Sequence, residues 1–394
     1  MQTRSLLLLL MAMSGIGPIS LNIIVPALPG LVTRLDTDTE TIQLMISLYL
    51  LGLAVSQLLM GPLSDRFGRR PVVIAGLALT AVASFAAIAA STAGSLIIAR
   101  LIQSLGASTG LVVGRAIIRD LFDRDRAASM IGLVTTVMVI APMLGPFIGG
   151  LLDTAFGWEA TFLFVAVASS IVVVSAAIAL PETRVQAASP QERPKYFSEL
   201  GKLARNPAFA GYVVAAALGS GPFFTLLGGG PHVVVTMMGR TSAEYGAWFA
   251  VTALGFMLGN FSAARLSVRY GVIAMIWWGI GIMVLGTLIG VVCLLLLPGG
   301  GPAVIFLPQV ISSVGNGMLL PNAIAGAVSV RPQAAGAASG ITGFSQMAIG
   351  AASAQAIGHV LAGAATPMPM VLIMLGFALA TAVAFWLLVR RNDV

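Results

Sequence analysis

The chain has 394 residues, 58% hydrophobic and 9% charged, with a mean hydropathy of +0.99. A soluble domain cannot hide that much apolar surface, so the composition excludes a water-soluble globular fold and makes lipid the solvent. The formal charge of +7 falls in short loops and forms no face, which argues against nucleic acid as a partner. The single cysteine, Cys293, excludes an internal disulfide, and no Cys/His cluster offers a metal site or calls for a cofactor.

Residues 6–13 follow an early arginine and mimic a signal-peptide core. The apolar run continues to Leu31, however, which is the length of a full span. Windows of roughly 20 apolar residues fall at 5–30, 42–62, 72–90, 95–117, 128–152, 160–180, 208–230, 245–264, 272–297, 303–324, 334–357 and 367–389. The expected fold is therefore an all-α membrane protein with twelve transmembrane helices. A sheet edge could not be satisfied in lipid, and the alternation of a barrel is missing.

With the N-terminus placed in the cytoplasm, one side collects Arg66, Arg69, Arg70, Arg119, Arg124, Arg126, Arg184 through Arg205, Arg265, Arg269, Arg331, Arg390 and Arg391. The other side keeps only Arg34 and Arg240, together with both histidines, His232 and His359. The positive-inside rule then puts both termini in the cytoplasm.

The polar stretch Pro181 to Pro207, with Lys195 and Lys202, reads as a cytoplasmic linker carrying a short surface helix near Phe197–Ala204. It separates a six-helix half at 1–180 from a second at 208–394. Arg66-Phe67-Gly68 returns as Arg269-Tyr270-Gly271, and Gly52 and Gln57 meet Gly255 and Asn260 at the same offset. Gly15-x-Gly-Pro18 returns as Gly219-x-Gly-Pro222, which predicts breaks in helices 1 and 7 and a central binding site near them.

Gly61 to Pro71, GPLSDRFGRRP, predicts a tight, charged turn between spans 2 and 3. Gly61, Leu63, Ser64, Asp65, Arg66, Gly68, Arg69 and Arg70 resemble the signature loop of the major facilitator superfamily. The resemblance implies that Asp65 helps to lock the two halves, with Arg115 or Arg119 on helix 4 as its partner. Arg69 is expected to pair with Asp120. The bland alternative is a solvated salt bridge worth ~0–1 kcal/mol.

Arg100, Gln103, Gly106 and Ala107 resemble the superfamily's Arg-x-x-Gln-x-x-Gly-x-Ala pattern on helix 4. Arg100 and Gln103 share a helix face. They read either as a polar anchor near the coupling machinery or as an arginine bonded to helix-1 carbonyls. Helix 5 carries Pro142, Gly145, Pro146 and Gly149 in a pattern similar to the superfamily's antiporter signature, with Ala141 in place of its first glycine. That signature implies export. Asn22, Tyr49, Phe223, Phe224, Asn316, Asn322 and Gln346 supply uncharged polar and aromatic groups for an amphipathic ligand.

Over nearly its whole length the chain resembles the bicyclomycin-resistance branch of drug:proton antiporters. In that branch an acid commonly stands four residues before the helix-1 proline, where this chain has Asn22. From Tyr245 to Asn392 there is no Asp or Glu at all. The resemblance implies a monomeric exporter of small hydrophobic or amphipathic compounds in a bacterial inner membrane. It would work by alternating access, its halves rocking about a midplane cavity, with protons as the coupling ion. The alternative is a transporter of one metabolite, such as a sugar or amino-acid derivative, without proton coupling. No nucleotide-binding loop appears, so ATP is not the expected energy source.

Overall fold

The computed structural model describes residues 3–122, 124–183, 203, 205–331 and 334–390, and these are helical with short connections and no strand. Twelve rods follow one another. The first six are α1 (Arg4–Arg34), α2 (Thr39–Phe67), α3 (Arg69–Ile88), α4 (Ala93–Leu121), α5 (Arg124–Phe156) and α6 (Glu159–Ala179). The second six are α7 (Pro207–Met237), α8 (Ser242–Tyr270), α9 (Val272–Leu296), α10 (Ala303–Ser329), α11 (Ala335–Ala362) and α12 (Met368–Val389).

Ten of these are long and apolar enough to cross a membrane. In α11, alanine, glycine and serine replace larger hydrophobes, and α5 is apolar over Ile140–Phe156 among the described residues. The surface helix expected near Phe197–Ala204, with Lys195 and Lys202, lies largely outside the described residues.

The chain ends its rods by local chemistry. Asp38 caps α2: its carboxylate accepts from the Thr41 N–H at 2.7 Å and the Thr41 hydroxyl at 2.9 Å. Those two donors hold it below the usual carboxylate range. Thr92 and Ser95 form a capping box at the start of α4, and Asn206 caps α7.

Two compact units result, one of Met1–Gln186 with Thr241–Ala247, the other of Ala187–Arg240 with Trp248–Val394. The first turns of α8 thus belong with α1–α6. Leu10, Met13, Val73, Leu77, Val113 and Ile117 centre the first unit's core. Ile276, Ile280, Met283, Leu319 and Phe385 centre one core of the second.

In lipid the hydrophobic effect does not drive helices together, so small residues at the seams decide how close they come. Along α9 and α10 a Cβ on Gly279 would lie 2.6 Å from the Gly315 oxygen, and one on Gly315 2.3 Å from the Gly279 oxygen. No larger residue fits that seam.

Two expectations change here. The turn drawn across Gly61–Pro71 is a single residue. α2 runs on to Phe67 with Pro62 inside it, Gly68 turns alone at φ +102°, and α3 begins at Arg69. Gly271, at φ +82°, does the same between α8 and α9. The interval 271 − 68 = 203 is the repeat seen in the sequence, and it recurs here as backbone geometry.

The break expected at Gly15–Pro18 does not form, because α1 is helical from Thr3 to Ile23 across Pro18. The kink comes later, where a short 3-10 turn, Val25–Ala27, contains Pro26. In α7 the break lies where the sequence placed it, at Ser220 between Pro207–Gly219 and Gly221–Pro231.

Candidate functional site

The turn between α2 and α3 sits in a cage of groups from the end of α4, the end of α6 and the residues just after it. Arg69 stands at its centre. Its Nε donates to Asp120 Oδ2 on the last turn of α4 at 3.0 Å, and its Nη1 pairs with Asp65 and donates to Ser64 Oγ at 2.6 Å. Only 13% of the Arg69 side chain and 18% of Asp120 stay exposed, so this pair is shielded in a way that Asp65, 65% exposed, is not.

Asp120 also accepts from the Thr183 hydroxyl at 3.4 Å. Arg70 reaches the Ala177 carbonyl near the end of α6 at 2.6 Å. Arg66 lies on the exposed side, its guanidinium 5.2 Å from the Phe67 ring centre. Gly61 has open space around it. Arg115 lies half-buried on α4, one turn before Arg119.

The sequence reading missed Glu182. Its two carboxylate oxygens accept the first backbone N–H groups of α3, from Arg69 at 2.9 Å and Arg70 at 3.2 Å. Those donors have no partner inside their own helix, and the positive end of the helix dipole favours a carboxylate there. A signal was available: Glu182 is the first acid after α6, next to a turn with three arginines.

The second constellation gathers at the α1 kink. Beyond Ile23 the α-helix gives way to the 3-10 turn. Arg100 of α4 reaches the carbonyls of that helix's last turn. Its Nη1 donates to Ser20 O at 2.8 Å and to Gln103 Oε1 at 2.6 Å, and its Nη2 donates to Leu21 O at 3.4 Å. The guanidinium stacks over the Tyr49 ring at 4.0 Å, and the Tyr49 hydroxyl donates to Gly17 O at 3.3 Å.

Gln103 extends the chain to Ser84 Oγ at 2.7 Å, and Ser84 donates on to Thr80 O at 2.6 Å. Arg100 is 1% exposed and Gln103 1%. The bonds to helix-1 carbonyls that one reading of Arg100 expected are present, and the side chain is buried.

Asn22 lies in the same kink. Its amide donates back to Pro18 O at 2.7 Å, and its buried Oδ1 accepts no bond among the described residues. The antiporter-like face of α5 packs here. A Cβ on Gly145 would lie 2.8 Å from Asn22 Cβ, and one on Gly149 would collide with Ile23 O. Pro142 and Pro146 stand inside a helix that continues through both of them.

In the second unit, Asn316 Nδ2 donates to Gly219 O at the α7 break at 2.6 Å, and its Oδ1 is buried and accepts nothing among the described residues. Phe223 meets Phe224 and Phe249 edge-on at 5.2 and 5.8 Å. Phe224 is buried against Gly350 of α11. Asn322 clamps α10 to α8: it donates to Met318 O at 2.8 Å and accepts from Ser267 Oγ at 2.8 Å. Gln346 is half-buried on α11. Asn22 and Tyr49 thus belong to one unit, and the five other expected cavity residues to the other. Among the described residues no cluster could hold a metal ion.

Comparison with known proteins accords with this geometry. The sequence profile of the Major Facilitator Superfamily matches residues 10–354. Multidrug resistance protein D of Escherichia coli (strain K12) is 29% identical over 343 residues, 86% of this chain and 84% of that protein. The bicyclomycin resistance protein homolog of Haemophilus influenzae is 25% identical over 388 residues, 96% of this chain and 95% of the homolog. A chloramphenicol resistance protein of Pseudomonas aeruginosa is 29% identical over 283 residues, 72% of this chain and 67% of that one.

Among solved structures, a D-xylose-proton symporter superposes with a TM-score of 0.79 over 99% of this chain and 98% of its own, at 14% identity. The nucleoside transporter NupG does so with 0.76 over 97% and 99%, at 16% identity. These two likenesses are of fold alone. A profile match across 10–354 and a multi-pass helical structure of twelve rods lead to one conclusion: the chain belongs to the major facilitator superfamily and is a membrane transporter, not an enzyme.

Proposed function

We propose that the protein exports small hydrophobic or amphipathic compounds by alternating access, as a proton-coupled antiporter. The observation that carries the direction of transport is similarity to resistance proteins over most of their own length. The packing of Gly145 and Gly149 of α5 on the α1 kink supports the same reading, because it gives the antiporter-like pattern a structural seat.

The buried cluster of Arg100, Gln103 and Tyr49 puts a positive charge and no carboxylate inside the first unit, which supports neutral, zwitterionic or anionic compounds over permanent cations as substrates. We place both termini in the cytoplasm, on the charge asymmetry of the loops. The turn at Gly68, caged by Asp120 and Glu182, is assigned as the conformational gate.

The test is a susceptibility panel in an efflux-deficient host with accumulation measured in parallel, chloramphenicol serving as the neutral probe. Lower accumulation that an uncoupler reverses is the expected result. A response confined to one metabolite-like compound would instead identify a single-substrate carrier.

A further inference from the structure

The turn between α8 and α9 repeats the geometry of the Gly68 turn but not its chemistry. At the interval of 203 residues, Val268 stands where the first turn has Asp65, and it is 92% exposed. Arg269 stands where the first has Arg66. Each guanidinium lies 5.2 Å from the ring centre of the next residue, Phe67 in one turn and Tyr270 in the other. The first turn carries countercharges for its arginines in Asp65 and Asp120. In the second, no Asp or Glu occurs from Tyr245 to Asn392, and no carboxylate pairs with Arg265 or Arg269 among the described residues.

Arg265 and Arg269 are both exposed and stand four apart on α8, a spacing at which like charges repel. Arg265 lies 4.1 Å from the centre of the Phe261 ring. A guanidinium that meets a ring by its face is held in place yet keeps its in-plane N–H donors for another acceptor. An oxyanion between two such groups removes their repulsion and accepts hydrogen bonds from both.

The ligand must have an apolar part as well. Leu254, Leu258 and Phe261 lead up to Arg265 at intervals of four, three and four, along one face of α8, and each is about half exposed. From Leu254 to Arg265 the helix rises about 16 Å. That is close to half of a hydrocarbon core roughly 30 Å thick, so the face matches one acyl chain in one leaflet. Beside its charged end, Tyr270 and Trp278 of α9 stack with ring centres 4.9 Å apart, both exposed. Such residues settle at the headgroup level of a membrane.

We propose that this end of α8 is a binding site for an anionic phospholipid, in the leaflet that the loop charges place at the cytoplasm. Its chain lies along Leu254, Leu258 and Phe261, and Arg265 and Arg269 hold its phosphate. A soluble anion would leave the apolar face unused, and a choline lipid would bring a cation of its own to two arginines. The inference concerns lipid and not cargo, so it stands apart from the direction and coupling of transport.

The test reconstitutes the full-length protein in mixtures of dioleoyl phosphatidylglycerol and dioleoyl phosphatidylcholine, one of the two brominated in its chains. Bromine quenches a nearby tryptophan, and the part of the quenching that Trp278→Phe removes reports the lipid at this site. Phosphatidylglycerol should be preferred there about ten- to thirtyfold at low salt, the worth of two arginines at an anionic headgroup. High salt should bring the preference close to unity. Arg265→Gln combined with Arg269→Gln should abolish it, while quenching in pure brominated phosphatidylcholine stays as it was, which checks that fold and apolar face persist.

Equal quenching by the two lipids in the unmodified protein would overturn the proposal. A preference that survives high salt, or survives the paired glutamines, would do the same. The last arm is Asp393→Asn, at a residue outside the described ones. A preference that appears only in that variant would make Asp393 the occupant of the arginines and would equally overturn the lipid site.

Discussion

At Asp65 the carboxylate is exposed and pairs with Arg69 across the Gly68 turn. Such a pair is worth about 0–1 kcal/mol, so Asp65→Asn should leave thermal stability nearly unchanged. If the turn is the gate, transport should nevertheless fall about tenfold or more, within the range of ordinary conformational coupling. Unchanged transport at equal expression would remove Asp65 from the mechanism. Arg100 is the opposite case. Arg100→Ala removes a donor from two α1 carbonyls and strands the Gln103 oxygen in a buried site. A stranded buried group costs roughly 1–3 kcal/mol, so the melting temperature in detergent should drop by several degrees. Arg100→Lys should recover only part of it, because an ammonium group cannot reproduce the planar fork. A full rescue by lysine would mean that charge alone matters there.

Between elements, what decides is the distance between backbones. Gly149 of α5 faces Ile23 O so closely that a methyl group cannot be placed, whereas Gly61 of α2 faces open space. Gly149→Ala should therefore cost about 1–3 kcal/mol through overpacking. Gly61→Ala should be neutral or slightly stabilising, by up to roughly 1 kcal/mol, since alanine suits a helix better. Parallel melting curves check both, and equal effects would refute the packing argument.

The same contrast shows what sequence could reveal. Twelve apolar windows gave twelve rods because hydropathy and length are local properties. The Arg69–Asp120 pair was legible because both residues sit at expected rod ends on the side that the charge count makes cytoplasmic. The kink of α1 was misplaced because Gly-x-Gly-Pro in α1 and in α7 have the same local chemistry. Packing keeps α1 straight: a Cβ on Gly17 would lie 2.7 Å from Ala107 O of α4, and one on Gly110 2.0 Å from Met13 O. The bend is left to Pro26, where Arg100 can supply donors. Glu182 was missed because its partners are backbone N–H groups, which no residue pattern displays.

For the whole molecule, charge separates the possible substrates. The chain carries 21 basic and 14 acidic residues, and none of the acids lies between Tyr245 and Asn392. That acid-free stretch, more than a third of the chain, offers a cation no countercharge on its way across the membrane. In the first unit the buried charge at the α1 kink is positive, Arg100, and its hydrogen bonds go to carbonyls and an amide. A permanent cation entering such an interior loses its hydration and meets a like charge. Insertion scales put a charge at bilayer depth at about 2.5–3.5 kcal/mol. A quaternary ammonium dye should then be exported roughly a hundredfold less efficiently than a neutral compound of similar size. Asn22→Asp adds one carboxylate at the kink and should raise dye export while leaving the neutral probe nearly unchanged. The measurement is dye efflux from energised cells expressing equal amounts of each form. Robust export of such a dye by the unmodified protein, against its gradient and abolished by an uncoupler, would show that a carboxylate at the membrane rim serves cations after all.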